Sequence, residues 1–252
     1  MKNLWLIIAG LAFAAIPMSA QTRHFEADFD AWDDFNRVEI SQGDSRVETS
    51  VSVAFPMYFG ASVLSDISYN GAWGTALADY PGFQDMRTSK NFFYALEMAA
   101  LHVHAGHVEM TAGLRWTFMD FTFKNPTYTL SGKGSEPYMP ASILSSQPDY
   151  NYNKSKIHAT YFGIPVRVGL EWGRSTLYVG ASAELLVNGY TKYKHPKERI
   201  KADAIFNDFR ATLEAGFSWN NIGVFVMYGL TPLFPNSLSN ARTVSFGLTL
   251  GL

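Results

Sequence analysis

The sequence has no cysteine among its 252 residues. This excludes disulfide bonds, thiol nucleophiles and thiolate metal sites. Basic and acidic residues nearly balance, with 20 of the first and 22 of the second, so the charge gives no reason to expect a nucleic-acid partner. Beyond the first twenty residues there is also no apolar run of about 20 residues, the length that a transmembrane helix requires. If the protein enters a membrane, the sequence therefore predicts that strands carry it there.

The first residues have the pattern of a secretory signal peptide. Lys2 supplies a positive charge, the apolar stretch runs from Leu4 to Ile16, and small residues then lead to a cleavage site expected before Gln21. We therefore expect residues 1–20 to be a signal peptide. The next segment, 21–45, is an expected periplasmic leader.

The leader has aromatic residues at helical spacing, which leaves two interpretations open. It is either a short amphipathic helix that caps the barrel or docks a partner, or an irregular segment. The residues with this spacing are Phe25, Phe29, Trp32 and Phe35.

From residue 46 to 252 the chain contains eight segments in which every second residue is apolar. The gaps between them are alternately long and short. An even set of such segments is the pattern of an all-β, eight-stranded antiparallel up-and-down transmembrane β-barrel. The predicted strands cover about 46–61, 91–104, 107–124, 157–172, 175–190, 205–219, 224–230 and 242–252.

The two faces of each predicted strand differ in polarity. In the fourth strand Val166, Val168 and Leu170 alternate with Arg167 and Glu171. Burying the ions in hydrocarbon costs several kcal/mol each, so we expect the apolar face to contact lipid and the polar face to line the lumen. A secreted β-sandwich or a soluble lipocalin-like barrel is the alternative, and it would shield Val166, Leu213 and Leu248 in a common interior.

The short gaps predict tight hairpins at 105–106, 173–174 and 220–221, which contain glycine or asparagine as such turns require. With eight strands, both termini and these turns are expected in the periplasm of a Gram-negative-type cell. The long connections are then extracellular loops near 62–90, 125–156, 191–204 and 235–241.

Aromatic residues near the strand ends predict a belt at each membrane interface. Trp172 and Trp219 lie beside the tight turns. The belt near the long loops is expected to contain Trp116, Phe118, Phe121, Phe123, Tyr161, Tyr190, Phe206 and Phe234.

The segment Tyr161–Leu170, with its Tyr-Phe-Gly-Ile-Pro motif, resembles a strand of the PorT-like outer-membrane β-barrel family. Tyr178–Glu184 and the closing Val244–Leu252 resemble the following and final strands of that family, so the resemblance covers about 46–252. It implies a porin-like barrel fold and a non-enzymatic role. The founding member of the family is linked to protein secretion.

Charged residues on the predicted lumen face form the best-defined constellation. Folding the hairpins places Glu97 nearly opposite Arg115, and Glu184 close to Arg210. Since eight strands enclose only enough space for side chains, we expect a packed ionic plug, with a proton path or small-solute channel as the alternative. The predicted network is Glu97, Arg115, Arg167, Glu171, Glu184, Arg210 and Glu214.

Two long loops are candidate contact surfaces. The loop 125–156 is rich in tyrosine and proline and suits a protein partner. The loop 191–204 is basic, and its charges are candidates to bind phosphates of outer-membrane lipid and lipopolysaccharide. These basic residues are Lys192, Lys194, Lys197, Arg199 and Lys201.

The sequence contains no recognisable catalytic, cofactor or metal motif. The candidates for an enzyme at the rim, acting on lipid or peptide, are His158 with Ser155 and His195 with Asp203. His104 and His107 lack an assured third metal ligand. We therefore expect no cofactor. The expected function is a non-enzymatic barrel that acts through its loops or leader in binding, envelope organisation or secretion-associated assembly.

Overall fold

The computed structural model describes residues 37–38, 47–52, 55–68, 70–71, 74, 85–130, 140–142, 154–194, 199–204 and 206–251. In these ranges no helix is long and apolar enough to cross a membrane. A 3-10 turn occupies Thr88–Lys90. The strands are β1 (Arg37–Val38), β2 (Val47–Ser52), β3 (Met57–Ser65), β4 (Phe92–Ala105), β5 (Val108–Thr122), β6 (Tyr128–Leu130), β7 (Pro140–Ser142), β8 (Lys154–Trp172), β9 (Ser175–Lys194), β10 (Arg199–Asp203), β11 (Phe209–Trp219), β12 (Ile222–Gly229) and β13 (Arg242–Leu250).

Eight antiparallel strands, here called staves, form the wall of a closed barrel, as the sequence predicts. The pairing runs from β3 through β4, β5, β8, β9, β11 and β12 to β13, so each stave pairs with the next along the chain. The ring closes where β13 pairs with β3, from Leu250↔Met57 to Arg242↔Ser65. Closure pairs the two edges that an open sheet would expose.

The first stave is interrupted, whereas the sequence predicts one strand over 46–61. Its two parts, β2 and β3, both pair with β4, the first with Ala100–Ala105 and the second with Phe93–Leu96. Pro56 lies at the break, and proline has no N–H to donate to a strand ladder. Its carbonyl still accepts a hydrogen bond from the backbone N–H of Glu97 at 2.9 Å.

The three predicted tight turns are confirmed. Each joins two strands through two residues, at 106–107, 173–174 and 220–221. Gly106, Gly173, Asn220 and Asn221 all have positive φ, between 48° and 68°. Two successive residues of positive φ at 220–221 match a type I′ turn, whose twist suits a hairpin. These turns define the turn end of the barrel, and the long connections define the opposite, loop end.

The loop end contains more strand than the sequence predicts. The predicted loop 191–204 is largely a hairpin, because β9 continues to Lys194 and β10 pairs back onto it from Arg199↔Lys194 to Asp203↔Tyr190. The predicted loop 125–156 contains the hairpin of β6 and β7. These regions have little apolar alternation, which is why the sequence pattern misses strands that extend beyond the barrel wall.

The outer wall is apolar, as predicted. Val166, Leu213 and Leu248 are 45%, 48% and 55% exposed, so they do not share an interior as a soluble sandwich or lipocalin-like barrel would require. On β8 the exposed side chains alternate with buried ones from Gly163 to Leu170. The face of β8 that carries Arg167 therefore points into the lumen.

The predicted aromatic belt at the loop end is wrong for five of its eight members. Phe121, Phe123, Tyr161, Phe206 and Phe234 are at most 4% exposed and belong to the core inside the barrel. The prediction placed them by height along the strand and overlooked which face they occupy. Phe121 shares the inward alternation of Arg115 on β5, and Phe123 continues it just past the end of the strand.

Candidate functional site

Glycines on the inner wall make space for the central charges. A Cβ atom on Gly163 would lie 2.7 Å from the Cγ of Glu184, its neighbour across the strands. A Cβ on Gly180 would lie 2.7 Å from the Cγ of Arg167. In both cases the charged side chain occupies the volume that a larger residue would take.

Arg115 lies at the centre of the ionic cluster. Its Nη1 donates to Glu214 Oε2 at 2.5 Å, and its Nη2 donates to Glu184 Oε1 at 3.2 Å. Glu97, which lies directly across the strands from Arg115, approaches to 3.9 Å. One guanidinium group therefore faces three carboxylates.

The other two arginines complete the cluster. Arg167 donates to both Glu97 and Glu214, and Arg210 donates to Glu184 Oε2 at 2.5 Å. Arg115, Glu214, Arg167 and Glu97 thus form a ring of alternating charge, to which Glu184 and Arg210 add a branch.

The cluster is electrically balanced and is shielded from bulk solvent. It contains three arginines and three glutamates, and each of the six is at most 5% exposed. Tyrosine rings also face it: Arg115 and Arg167 lie 5.9 and 5.6 Å from the Tyr58 centroid, and Arg210 lies 5.8 Å from that of Tyr161. Paired, hydrogen-bonded ions of this kind fill a lumen without leaving a net charge inside it.

Sequence reasoning missed two features of this layer. Tyr58, Tyr161 and Tyr178 supply aromatic faces to the guanidinium groups, although their inward alternation was a usable signal. Conversely Glu171, a predicted member, lies near the turn end of β8 and is only half-buried, whereas the other six predicted charges are buried.

Apolar side chains fill the lumen beside the ions and toward the loop end. Phe225 contacts Tyr58 and Phe93, with ring centroids 5.2 and 5.4 Å apart, and Phe206 stacks on Phe234 at 5.6 Å. Leu130 of β6 is buried in the same core. Strand β6 thus packs at the loop end of the barrel, and this part of the predicted partner-binding loop is used in internal packing.

Below the ions, toward the turn end, lies a cavity of about 40 Å³. His102, Glu109, Thr111 and Tyr178 are among its lining residues, and His102 contacts Glu109. Its size and polar lining suit a few ordered water molecules. It is too small for an organic ligand.

The outer wall has an aromatic girdle near the loop end. Phe59, Tyr94 and Phe118 follow one another with centroids 5.2 and 5.6 Å apart, and Trp116 lies 4.9 Å from Phe162. At the turn end Trp172 and Trp219 are 49% and 60% exposed. Aromatic rings therefore border the apolar wall at both ends.

Beyond this girdle, lysines face one another across β8 and β9. The register pairs Lys154 with Lys194, and Lys156 with Lys192. The backbone of β10 extends both rows, since Arg199 pairs with Lys194, and Lys201 with Lys192. Of the predicted basic residues, Lys197 lies outside the described residues. Lys154 and Lys156, which no prediction included, belong to the same outer surface.

The structure does not bring together the first predicted catalytic pair. Ser155 is buried on the inner face of β8, whereas His158 lies on the outer face. Asp120 of β5 is instead the partner of His158, with Oδ1 2.6 Å from Nδ1. His158 Nε2 lies 2.9 Å from Thr160 Oγ1.

Other predictions fall outside the described side chains. His195, the side chains of Asp203 and His104, the signal peptide and most of the leader are among them. Of the leader, β1 is described, and it pairs with β2.

No family model and no curated protein matches this chain. Among solved structures, Neisserial surface protein A is similar to it, with a TM-score of 0.34 and 11% sequence identity over 84% of this chain and 100% of that one. The resemblance to the PorT-like family therefore stays a prediction.

Proposed function

We propose that this protein is a non-enzymatic integral barrel of a Gram-negative-type outer membrane, with both termini in the periplasm. It acts through its loop end or its leader, in binding, envelope organisation or secretion-associated assembly. The observation that carries the proposal is the division of polarity, with an exposed apolar wall outside and six paired charges inside.

The apolar wall supports the membrane location. Val179, Leu213 and Val224, on the consecutive strands β9, β11 and β12, are 60%, 48% and 52% exposed. An apolar surface of this extent around a closed barrel, with aromatic residues at both ends, is how a protein meets acyl chains.

The filled lumen favours an anchor or scaffold over a channel. An ion moving along the barrel axis would have to pass packed apolar side chains, such as Phe93 and Phe225, and the ionic cluster around Arg115. An eight-stranded barrel filled in this way leaves no free cross-section for a hydrated ion.

Planar-bilayer recording of the refolded full chain tests this point. We expect no sustained single-channel steps, while a general porin recorded in parallel verifies detection. Sustained steps that depend on this protein would contradict a closed lumen. Recovery of folded protein from the aqueous phase without detergent would contradict the membrane location itself.

One observation favours a second candidate, an enzyme at the rim that hydrolyses acyl esters of lipids. Asp120, His158 and Thr160 form a chain of acid, imidazole and hydroxyl, the order found in hydrolases that acylate a hydroxyl. Against it, Thr160 is 6% exposed, and Asp120 also contacts Lys156.

Assays of acyl-chain release from outer-membrane lipids separate the two candidates. The proposed non-enzymatic function predicts no release above background by the wild type. Release that is lost in both His158→Ala and Thr160→Val would establish the enzyme instead.

A further inference from the structure

The paired lysines on the outer wall repel one another. Side chains directly opposite on antiparallel strands have Cβ atoms about 4.5–5.5 Å apart, and like charges in that position destabilise the sheet. Here this arrangement occurs twice in succession, at Lys154↔Lys194 and Lys156↔Lys192.

The described side chains compensate this charge only in part. Asp120 contacts Lys156 and also His158. Its single carboxylate offsets one of the four positive charges of the two lysine pairs, which leaves three. The register adds two further basic positions, Arg199 and Lys201, on the neighbouring strand. An unbalanced positive surface of this kind fits an anionic ligand.

The height of the lysines indicates the kind of anion. On β8 the last apolar outward residue is Phe162, and Lys156 lies six residues further toward the loop end. At about 3.3 Å per residue and a tilt of about 40°, this places Lys156 roughly 15 Å above Phe162. The headgroup layer of an ordinary phospholipid leaflet is only about 5–7 Å thick, whereas phosphates on a saccharide headgroup extend further.

We propose that Lys154, Lys156, Lys192 and Lys194 form a binding site on the barrel wall for the phosphorylated saccharide headgroup of a glycolipid. The proposal rests on the membrane location proposed above. The phosphates lie between the two lysine rows and replace the repulsion between facing ammonium groups by charge-assisted hydrogen bonds. The aromatic rings of His158 and Tyr190, stacked at 4.7 Å, form the lower border of the site.

Binding of rough-type lipopolysaccharide with a phosphorylated inner core tests the site. The refolded full chain is placed in phosphatidylcholine nanodiscs, and its unfolding midpoint is followed as lipopolysaccharide is added. The variant Lys154→Gln/Lys194→Gln is compared with Lys124→Gln/Arg174→Gln, which removes two charges elsewhere. We expect roughly 30-fold weaker binding for the first variant and at most a twofold change for the second.

The same variants separate binding from a structural role. Without lipopolysaccharide and at low salt, Lys154→Gln/Lys194→Gln should unfold at a higher denaturant concentration than the wild type, because one repulsive pair is gone. A structural role for these lysines predicts the opposite sign.

Three outcomes would overturn the site. They are unchanged binding by the variant, equal binding of dephosphorylated lipopolysaccharide, and equal stabilisation by phosphatidylglycerol or inorganic phosphate. Each is scored on protein that is inserted in the bilayer. A failed membrane location would appear separately, as protein that does not enter the nanodiscs.

Discussion

Glu184 binds two guanidinium groups at once, those of Arg115 and Arg210, and it also accepts hydrogen bonds from Ser182 and Thr117. Its carboxylate is 1% exposed and has no access to compensating solvent. Removing one member of such a group leaves an unpaired buried charge, which costs more than the pair itself contributes.

Neutralising Glu184 and Arg210 together should therefore cost less than the sum of the single changes. Glu184→Gln leaves a net charge of +1 in the lumen and should lower the free energy of unfolding by about 3–5 kcal/mol. Arg210→Gln should cost less, since Glu184 keeps Arg115. The double variant restores neutrality, and its loss of stability should be smaller than the sum of the two single losses by about 1–3 kcal/mol. Urea titration in micelles measures all three, and strict additivity would refute the pairing.

Two glycines on the inner face of β8 provide a matched test of packing. Gly163→Ala would put a Cβ 2.2 Å from the carbonyl oxygen of Ala183, which is backbone and has little freedom to move. Gly169→Ala would meet the Cγ2 of Thr176 at 2.9 Å, and a side chain can rotate away.

We expect Gly163→Ala to destabilise the barrel by about 1–3 kcal/mol and Gly169→Ala by clearly less. The same urea titration ranks the two variants. Equal stability of both would show that the space beside Glu184 is not required.

At the scale of elements, the hairpin between β11 and β12 depends on its turn. Asn221 has a φ of 68°, which asparagine and glycine tolerate but β-branched residues do not. The outcome for a substitution there depends on backbone conformation alone, because the turn lies outside the packed lumen.

Asn221→Val should therefore cost about 1–2 kcal/mol, whereas Asn221→Gly should stay within about 0.5 kcal/mol of the wild type. Folding into micelles, followed by the heat-dependent shift in gel mobility, compares the two. A tolerated valine would mean that the turn adopts another conformation.

Alternation along the strand explains which elements were predictable. In β11 apolar and polar residues alternate without interruption, so this strand and the turn that follows it were predicted within a few residues. β8 and β9 have a register shift at Thr160/Tyr161, and the alternation of β4 and β5 shifts at Met98/Ala100. Such shifts reverse the face of the residues beyond them, which sequence spacing alone does not reveal.

At the scale of the whole molecule, the outward direction of the apolar face can be tested on β11. Leu213 lies near the middle of this strand, and Trp219 lies at its turn end. Both are exposed, at 48% and 60%. In water, a charged substitution would have a similar effect at either position. In a bilayer the two positions lie at different depths, so the effects should differ.

Leu213→Arg should reduce the stability of the inserted barrel by about 2–4 kcal/mol, while Trp219→Arg should cost about 0–1 kcal/mol. Folding yield into vesicles of phosphatidylcholine measures the difference. If the two arginines have the same effect, the wall does not lie in hydrocarbon.

The sequence by itself determined the number of staves, the tight turns and, where alternation is uninterrupted, the side of a strand that faces outward. These depend on local quantities, namely the period-2 alternation of a strand and the backbone preferences of glycine and asparagine. The pairing of Glu97 with Arg115 was also predictable, because both residues lie on the two strands of one hairpin.

Only the tertiary structure decided how distant strands share the lumen. Arg115, Glu184 and Glu214 come from three staves, and Arg167 joins them because closure of the barrel sets the heights of staves that are not neighbours in the chain. The inward turn of Phe206 and Phe234, and the rows of lysines across β8 and β9, likewise depend on register and on chain segments that extend past the barrel. Register and closure are properties of the assembled sheet, and no single strand contains them.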